Sequence, residues 1–459
     1  MQNVIAVLDI GKTNVKLCAL DIRSGALLAV RKKNNTVLNQ GDYPQLDIEG
    51  IWQWYCEQLK HLSSHYLISQ LTFTTHGATA VCLDEKDIAF AVPDYEANQC
   101  EMLNEQYQSV RPHFTETYSP ALKGGLNLAR QLFWLSKTYP EKFSTLQSIL
   151  MYPQFWAWKM SGVKASEVTS LGCHTDLWAP ASNDYSSLVD RMSWRALFPV
   201  MRPAGAVLGT IKPELAASLG LSDQCQVLNG LHDSNASLVP YLQNLEGAFT
   251  VVSTGTWVVI AAIGADLENL NERDDMLANI NIYGEAVPCI RFMGGREWEL
   301  LRGDESCSFD DLTSVISLST MLLPSFSDQG GPFADRSGKA IGPLHQLNGP
   351  QHTALASLYC ALVSDYCLTL INSQGPLYIE GSFAKNEIYL SVLQLLRNQP
   401  VIISEDSTGT TQGAALVSSQ CKWPANIATQ PVKHTPQKQI DKAALLHYKQ
   451  QWLNALSAS

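Results

Sequence analysis

Short apolar runs closed by small polar residues set the pattern of the chain. Residues 4–8 (VIAVL) form such a run, rich in β-branched side chains and stopped by Asp9 and Gly11. Residues 14–21 (NVKLCALD) resume an alternating pattern, which predicts strand, tight turn, strand. Residues 25–34 (GALLAVRKKN) predict a third strand and an antiparallel meander. In residues 47–65, Ile48, Ile51, Trp52, Tyr55 and Leu59 share one face of a helix. Residues 68–77 (ISQLTFTTHG) read as a strand ending in a polar loop, and residues 79–91 as a hairpin turning at the solvated charge run 84–87. Residues 124–143 and 151–162 are helical in pattern, with Trp134, Trp156 and Trp158 as packing residues. Residues 225–233 (CQVLNGLHD) form another strand that ends in glycine and polar residues.

From about Leu245 the order repeats. Paired strands flank STGT at 253–256, a β segment follows at 286–295, a long helix at 349–371, a strand at 376–382 and a helix at 386–396. Residues 431–456 read as a polar connector and a terminal helix with no active role. Superposing the two turns sets Gly11 over Gly255, Val7 over Val251, Leu8 over Val252 and Thr13 over Trp257. The matches open the two halves, and both halves continue in similar order, so duplication is the economical explanation.

Length agrees with this division, because single cores stop growing at about 250–300 residues and the chain has 459. Two domains are expected, at 1–243 and 244–459. Hydrophobic residues make up 46% and charged residues 16%, a composition that folds throughout. The net charge of −11 comes without a Lys/Arg block, which argues against a nucleic-acid partner. No apolar window reaches a membrane span and no leader pattern opens the sequence, so a cytoplasmic protein without membrane partners is expected. The eleven cysteines include no CxxC pair, which predicts reduced, mostly buried thiols rather than disulfides or zinc ligands.

A glycine turn between strands lets backbone N–H groups approach an anion, and threonine hydroxyls add donors. Two such turns could hold one polyphosphate, with Gly11, Lys12, Thr13 and Asn14 on one side and Thr254, Gly255 and Thr256 on the other. Asp9 in the first copy against Ser253 in the second fits a site needing one carboxylate there to orient hydrated Mg²⁺.

These segments resemble the FGGY family of carbohydrate kinases over essentially the whole chain. DIGKTNVK is similar to the family's first phosphate motif, with Lys12 where threonine is more usual, and VVSTGTWVVI to the second. YIEGSFAKNEIYLSVL is similar to the adenosine motif, with Ser382 in place of the second glycine, and GTTQGAALVS to the element that follows it. The resemblance implies an α/β fold of two ribonuclease-H-like, actin-type ATPase domains with a cleft between them that closes on its substrates. It implies ATP and Mg²⁺ as cofactors, with Gly381, Ser382 and Asn386 binding nucleotide. It also implies Asp233, in a G-x-x-D segment, as the general base, with Asp9 and Asp233 near the metal. For a sugar substrate, His76 and Gly77 in TTHGATAV, Asp94, His232 and Asp233 are the expected contacts. Asp94 sits near the position of a W-x-D-x-R segment whose tryptophan and arginine are absent here. Arg296 and Glu297 are expected to be a surface or capping pair. The implied reaction is phosphorylation of a ketose, either a pentulose or a deoxyhexulose of the rhamnulose or fuculose kind, by a chain that could pair as a homodimer. A non-catalytic sugar or nucleotide sensor of the same fold is the alternative. A filament or chaperone ATPase would need polymer contacts or a peptide-binding domain, and a sugar repressor a DNA-binding extension before Val4.

Overall fold

The computed structural model describes residues 1–327, 330–404, 409–421, 423, 429–431 and 440–458. They form two compact units. The first comprises Met1–Leu245, Ala278–Ala286 and the described residues of Thr408–Asn426; the second comprises Glu246–Leu277, Val287–Ser407 and the described residues of Ile427–Ser459. The division is therefore not a single cut at 243/244. The helix Gly409–Leu416 belongs with the first unit because Gly413 lies against the backbone of Ala236, where a Cβ would stand 1.8 Å from the carbonyl oxygen.

The sheet of the first unit is built on Gln2–Ile10, whose residues from Val4 onward are all buried. A continuous apolar run, rather than strict alternation, marks a strand covered on both faces. It pairs antiparallel with Asn14–Asp21, which pairs antiparallel with Leu27–Asn34. On its other side it pairs parallel with Tyr66–Thr75, followed by Gln226–Leu228 and Val207–Thr210. The helix Ile48–Ser63 is capped by the Asp47 carboxylate, which accepts from Gly50 N, and it buries Ile48, Ile51, Tyr55, Leu59 and Leu62. Trp156 and Trp134 are core residues, as their spacing predicts.

The second unit repeats the order. Phe249–Thr254 pairs antiparallel with Val258–Ile263, which pairs antiparallel with Ala286–Phe292, and on its other side it pairs parallel with Leu377–Gly381 and then Val401–Ser404. Gly349–Leu370 is long and apolar enough to cross a membrane, but 83% of its most apolar window is buried inside the protein. Its buried residues run all around it, as expected for a core helix. The terminal helix is Lys442–Ser457; most of the polar connector before it lies outside the described residues. All eleven cysteines are free thiols, nine of them buried.

Two glycines of the second unit separate backbone conformation from crowding. Gly375 has φ +66° and its Cβ would stand 1.8 Å from the Ala248 oxygen, whereas Gly247 has φ +74° with open space around it. Gly375→Ala should lower the unfolding free energy by about 2–4 kcal/mol, the sum of a left-handed residue and an overpacked contact. Gly247→Ala should cost only about 1–2 kcal/mol. Denaturant titration of the two variants checks the difference.

Candidate active site

The first turn links Ile10 to Val15, and Gly11 N donates to Asn14 O at 2.9 Å. The second links Thr254 to Val258 and is one residue shorter, with Gly255 N donating to Trp257 O at 2.9 Å. Register carries the difference between the copies further than the loops. Asp9 lies across from Lys16, and the equivalent Ser253 lies across from Val259. The carboxylate and its cation are thus present together in one copy and absent together in the other.

Asp9 is 5% exposed. Lys16 Nζ stands 3.4 Å from its Oδ2 and the Thr411 hydroxyl donates to the same oxygen at 3.3 Å. Burial pushes the Asp9 carboxyl above the usual carboxylate range, Lys16 pulls it back, and the nearby charge of Asp233 pushes it up again. Lys16 and Thr411 are site residues that motif reading did not single out. Lys16 was open to discovery once the hairpin register was drawn, but Thr411 was not.

Asp233 follows the short strand Leu231–His232, which runs parallel to Thr74–Thr75, and it is the first residue of the helix Asp233–Ala236. Its Oδ1 lies 3.1 Å from His232 Nε2 and accepts from Ser234 N at 2.6 Å. Burial works against its charge, but His232 and the Ser234 amide hold its carboxyl below the ordinary range. His232 is 4% exposed. Burial disfavours its proton, yet Cys173 and Asp233 raise its pKa well above the ordinary value. Burial alone would push the Cys173 thiol up, whereas His174 and His232 bring it down to about 5. Gly77 is required beside this pair, since a Cβ there would stand 2.9 Å from His232 Nε2.

His76 directly follows the Tyr66–Thr75 strand, and its backbone N donates to Ile10 O at 2.8 Å, next to the first turn. Burial pulls its pKa below 6.5, so the ring is neutral. Nδ1 lies 3.0 Å from Gly77 O and must carry the proton to bond it. Nε2 is then an acceptor, and it is buried without a partner among the described residues. Tyr95 and Tyr152 flank the ring, each with its centroid at 5.3 Å. Lys12 pairs with Asp94 and Glu96, while Thr13 and Asn14 are exposed on the turn.

In the second unit Gly255, Thr256, Ser382 and Asn386 line one cavity of about 1270 Å³. Thr254 and Gly381 stand behind it as scaffold. The Thr254 hydroxyl accepts from Phe383 N and donates to Glu380 O, and Gly381, at φ +84°, would place a Cβ 1.9 Å from Thr254 O. Asn386 caps the helix Glu387–Leu396 by accepting from Tyr389 N and donates to Ser357 Oγ at 2.9 Å. Trp298 Nε1 donates to the same hydroxyl at 3.0 Å, and Arg302 lies over the Trp298 ring. Gly295 lets its helix rest on the second turn, since a Cβ would stand 1.9 Å from Gly255 O. Gly295, Trp298, Ser357 and Arg302 were not identified from sequence; the Gly294–Gly295 pair was the available signal. Glu297 departs from the expected surface pair. Arg296 is exposed, but Glu297 is buried and accepts from Ser325 Oγ, Phe326 N, Ser327 N and Tyr359 OH, so it pins a loop.

Titration of the histidine ring protons by NMR should find His76 deprotonating below 6.5 and His232 well above it, with the His232 value falling in Asp233→Asn. The signs also bear on stability. The contribution of His232, raised in the folded state, is present below about 6.5 and lost as pH rises through its folded value. That of Asp233, lowered in the folded state, is present above about 3.9 and lost as pH falls through its folded value.

Residues 4–240 match the FGGY family of carbohydrate kinases, N-terminal domain, and residues 246–426 match the carbohydrate kinase FGGY C-terminal domain. An L-fuculokinase of Salmonella typhi is 24% identical over 56% of this chain and 56% of its own length. A rhamnulokinase of Oceanobacillus iheyensis is 24% identical over 57% of this chain and 56% of its own. The match thus spans just over half the length of these curated relatives. The crystal structure of a carbohydrate kinase from Novosphingobium aromaticivorans superposes with a TM-score of 0.91 at 31% identity, covering 100% of this chain and 99% of that one. The fold is the paired ribonuclease-H-like, actin-type architecture that the motifs imply. With both halves matched in order, the chain belongs to the FGGY family of carbohydrate kinases.

Proposed function

We propose that this chain transfers the γ-phosphoryl group of ATP to a hydroxyl of a ketose, a pentulose or a deoxyhexulose such as L-rhamnulose or L-fuculose. The observation that carries the reading is the pairing of Asp233 with His232 beside Gly77, in the same unit as a neutral His76 whose Nε2 is a buried acceptor without a partner among the described residues. A sugar hydroxyl is the kind of donor that would satisfy His76. The names of the relatives support the ketose class.

In this reading Asp233 stays ionised at neutral pH and can take a proton. As the acceptor oxygen bonds to the γ-phosphorus, its hydroxyl proton passes to Asp233, the bond from phosphorus to the bridging oxygen breaks, and ADP leaves. In the first unit Gly11, Thr13 and Asn14 are the candidate phosphate donors, and in the second unit Gly255 and Thr256 are. The cavity holding Ser382 and Asn386 has room for the nucleoside.

The donor set suits Mg²⁺. Asp9 and Asp233 are two hard carboxylates close enough for one to raise the pKa of the other. Among the described residues no group of three or more His, Cys, Asp or Glu side chains could hold a metal alone. Mg²⁺ takes one or two carboxylates and completes its shell with water and phosphate oxygens, whose charge it neutralises.

ADP release from Mg²⁺-ATP, measured against a panel of ketoses, aldoses and polyols, tests the proposal. One ketose should stimulate strongly, and Asp233→Asn should lower kcat by on the order of 10²–10⁴-fold. If some sugars bind by thermal shift while none raises ADP release, the protein is a sensor and Asp233 is no base. His76→Leu should raise the KM of the stimulating sugar about tenfold, with little change in the KM for ATP.

A further inference from the structure

We propose that Lys12, although it lies in the first phosphate turn, is a positioning residue for the acceptor sugar: it holds the Asp94 carboxylate in place and does not bind phosphate. This rests on the sugar-kinase reading above.

Three consecutive residues of one loop engage the ammonium. Lys12 Nζ pairs with Asp94 Oδ1, stands 3.2 Å from Glu96 Oε2 and lies 4.7 Å from the centre of the Tyr95 ring. The loop is itself fixed. Asp94 N donates to Pro44 O at 2.9 Å, Ala97 N to Asp94 O at 3.1 Å and Gly125 N to Tyr95 O at 2.7 Å. Gly124 packs against the same carbonyl, where a Cβ would stand 2.9 Å from the oxygen. On the other side, Asn35 Nδ2 donates to Gly11 O and Asn35 N to Thr13 O, which brace the turn. Lys12 therefore joins two rigid parts. To reach a phosphate it would have to leave two carboxylates and an aromatic face.

The arrangement leaves specific atoms for a ligand. Asp94 is 6% exposed. Among the described residues its side-chain contacts, Lys12 Nζ and Glu96 N, both fall on Oδ1. Oδ2 is left as an acceptor. The neighbouring Tyr95 ring lies 5.3 Å from His76, whose Nε2 also lacks a donor. The loop that binds Lys12 thus connects two acceptors, Asp94 Oδ2 and His76 Nε2, which suit the O–H groups of an uncharged polyol. Lys12 supplies the cation that a buried Asp94 carboxylate needs as a partner.

Lys12→Ala, Lys12→Arg, Asp94→Asn and the Lys12→Ala/Asp94→Asn double variant separate the two roles. The binding of Mg²⁺ with β,γ-imido-ATP is measured by calorimetry, and the KM of whichever panel ketose stimulates the wild type by ADP release. Lys12→Ala and Asp94→Asn should each raise the sugar KM about tenfold or more, while nucleotide affinity stays within twofold of wild type. The double variant should be no worse than the poorer single one, and Lys12→Arg should recover most of the loss. A tenfold loss of nucleotide affinity in Lys12→Ala with an unchanged sugar KM would overturn the proposal, as would effects that multiply in the double variant. Should Lys12→Ala fail to fold, Asp94→Asn carries the same split without touching the turn. If no ketose stimulates the wild type, the kinase reading falls separately; the dissociation constant of a panel sugar that binds then takes the place of KM, with the same outcomes deciding.

Discussion

Two carboxylates at the ends of apolar strands set the terms for the first unit. Asp9 closes a run in which every residue from Val4 is buried, and Asp233 follows Leu231 and His232, both buried. A carboxylate in such a place is tolerated only with a cation or donors at hand. Each has them from a neighbouring position that the backbone fixes. Lys16 faces Asp9 across the hairpin, and His232 directly precedes Asp233. Cys173 in turn raises the pKa of His232. The glycine at 77 and the helix carrying Thr411 follow from this cluster, since both must come close for the carboxylates to be enclosed.

The repeat in the second unit shows what the scaffold does without that charge. The strands keep their order and the parallel neighbour keeps its place, with Thr254 opposite Gly381 as Ile10 is opposite Thr75. Ser253 and Val259 replace the Asp9 and Lys16 pair, and the turn loses one residue. In place of a charged cluster the turn borders a large cavity whose wall is neutral at the Trp298–Ser357–Asn386 hydrogen bonds. One architecture thus carries two chemistries, because residues at strand ends can change while the buried strands remain as they are.

Both turns, the order of strands and helices and, around the carboxylates, His76, Gly77 and His232 were legible in the sequence. Apolar runs ending in Asp-x-Gly or Ser-Thr-Gly are local signals, read from adjacent residues. Gly255, Thr256, Ser382 and Asn386 line one cavity, whereas Thr254 and Gly381 do not line it. Glu297 was misjudged because its partners, at Ser325–Ser327 and Tyr359, are distant in sequence and no pattern around GGREW announces them. Lys12 was legible as a cation in the turn but not in its direction, since Asp94 and Glu96 lie on a separate loop.

The sequence by itself determined the repeated α/β order, the positions of the turns and the residue types placed there, because periodicity and turn chemistry act over a few neighbouring residues. Only the tertiary structure decided which charges face each other: Asp9 with Lys16 and Thr411, His232 with Cys173, Lys12 with Asp94. Those pairings depend on strand register and loop packing between distant parts of the chain, and a buried charge takes its protonation state from the groups that such packing brings to it.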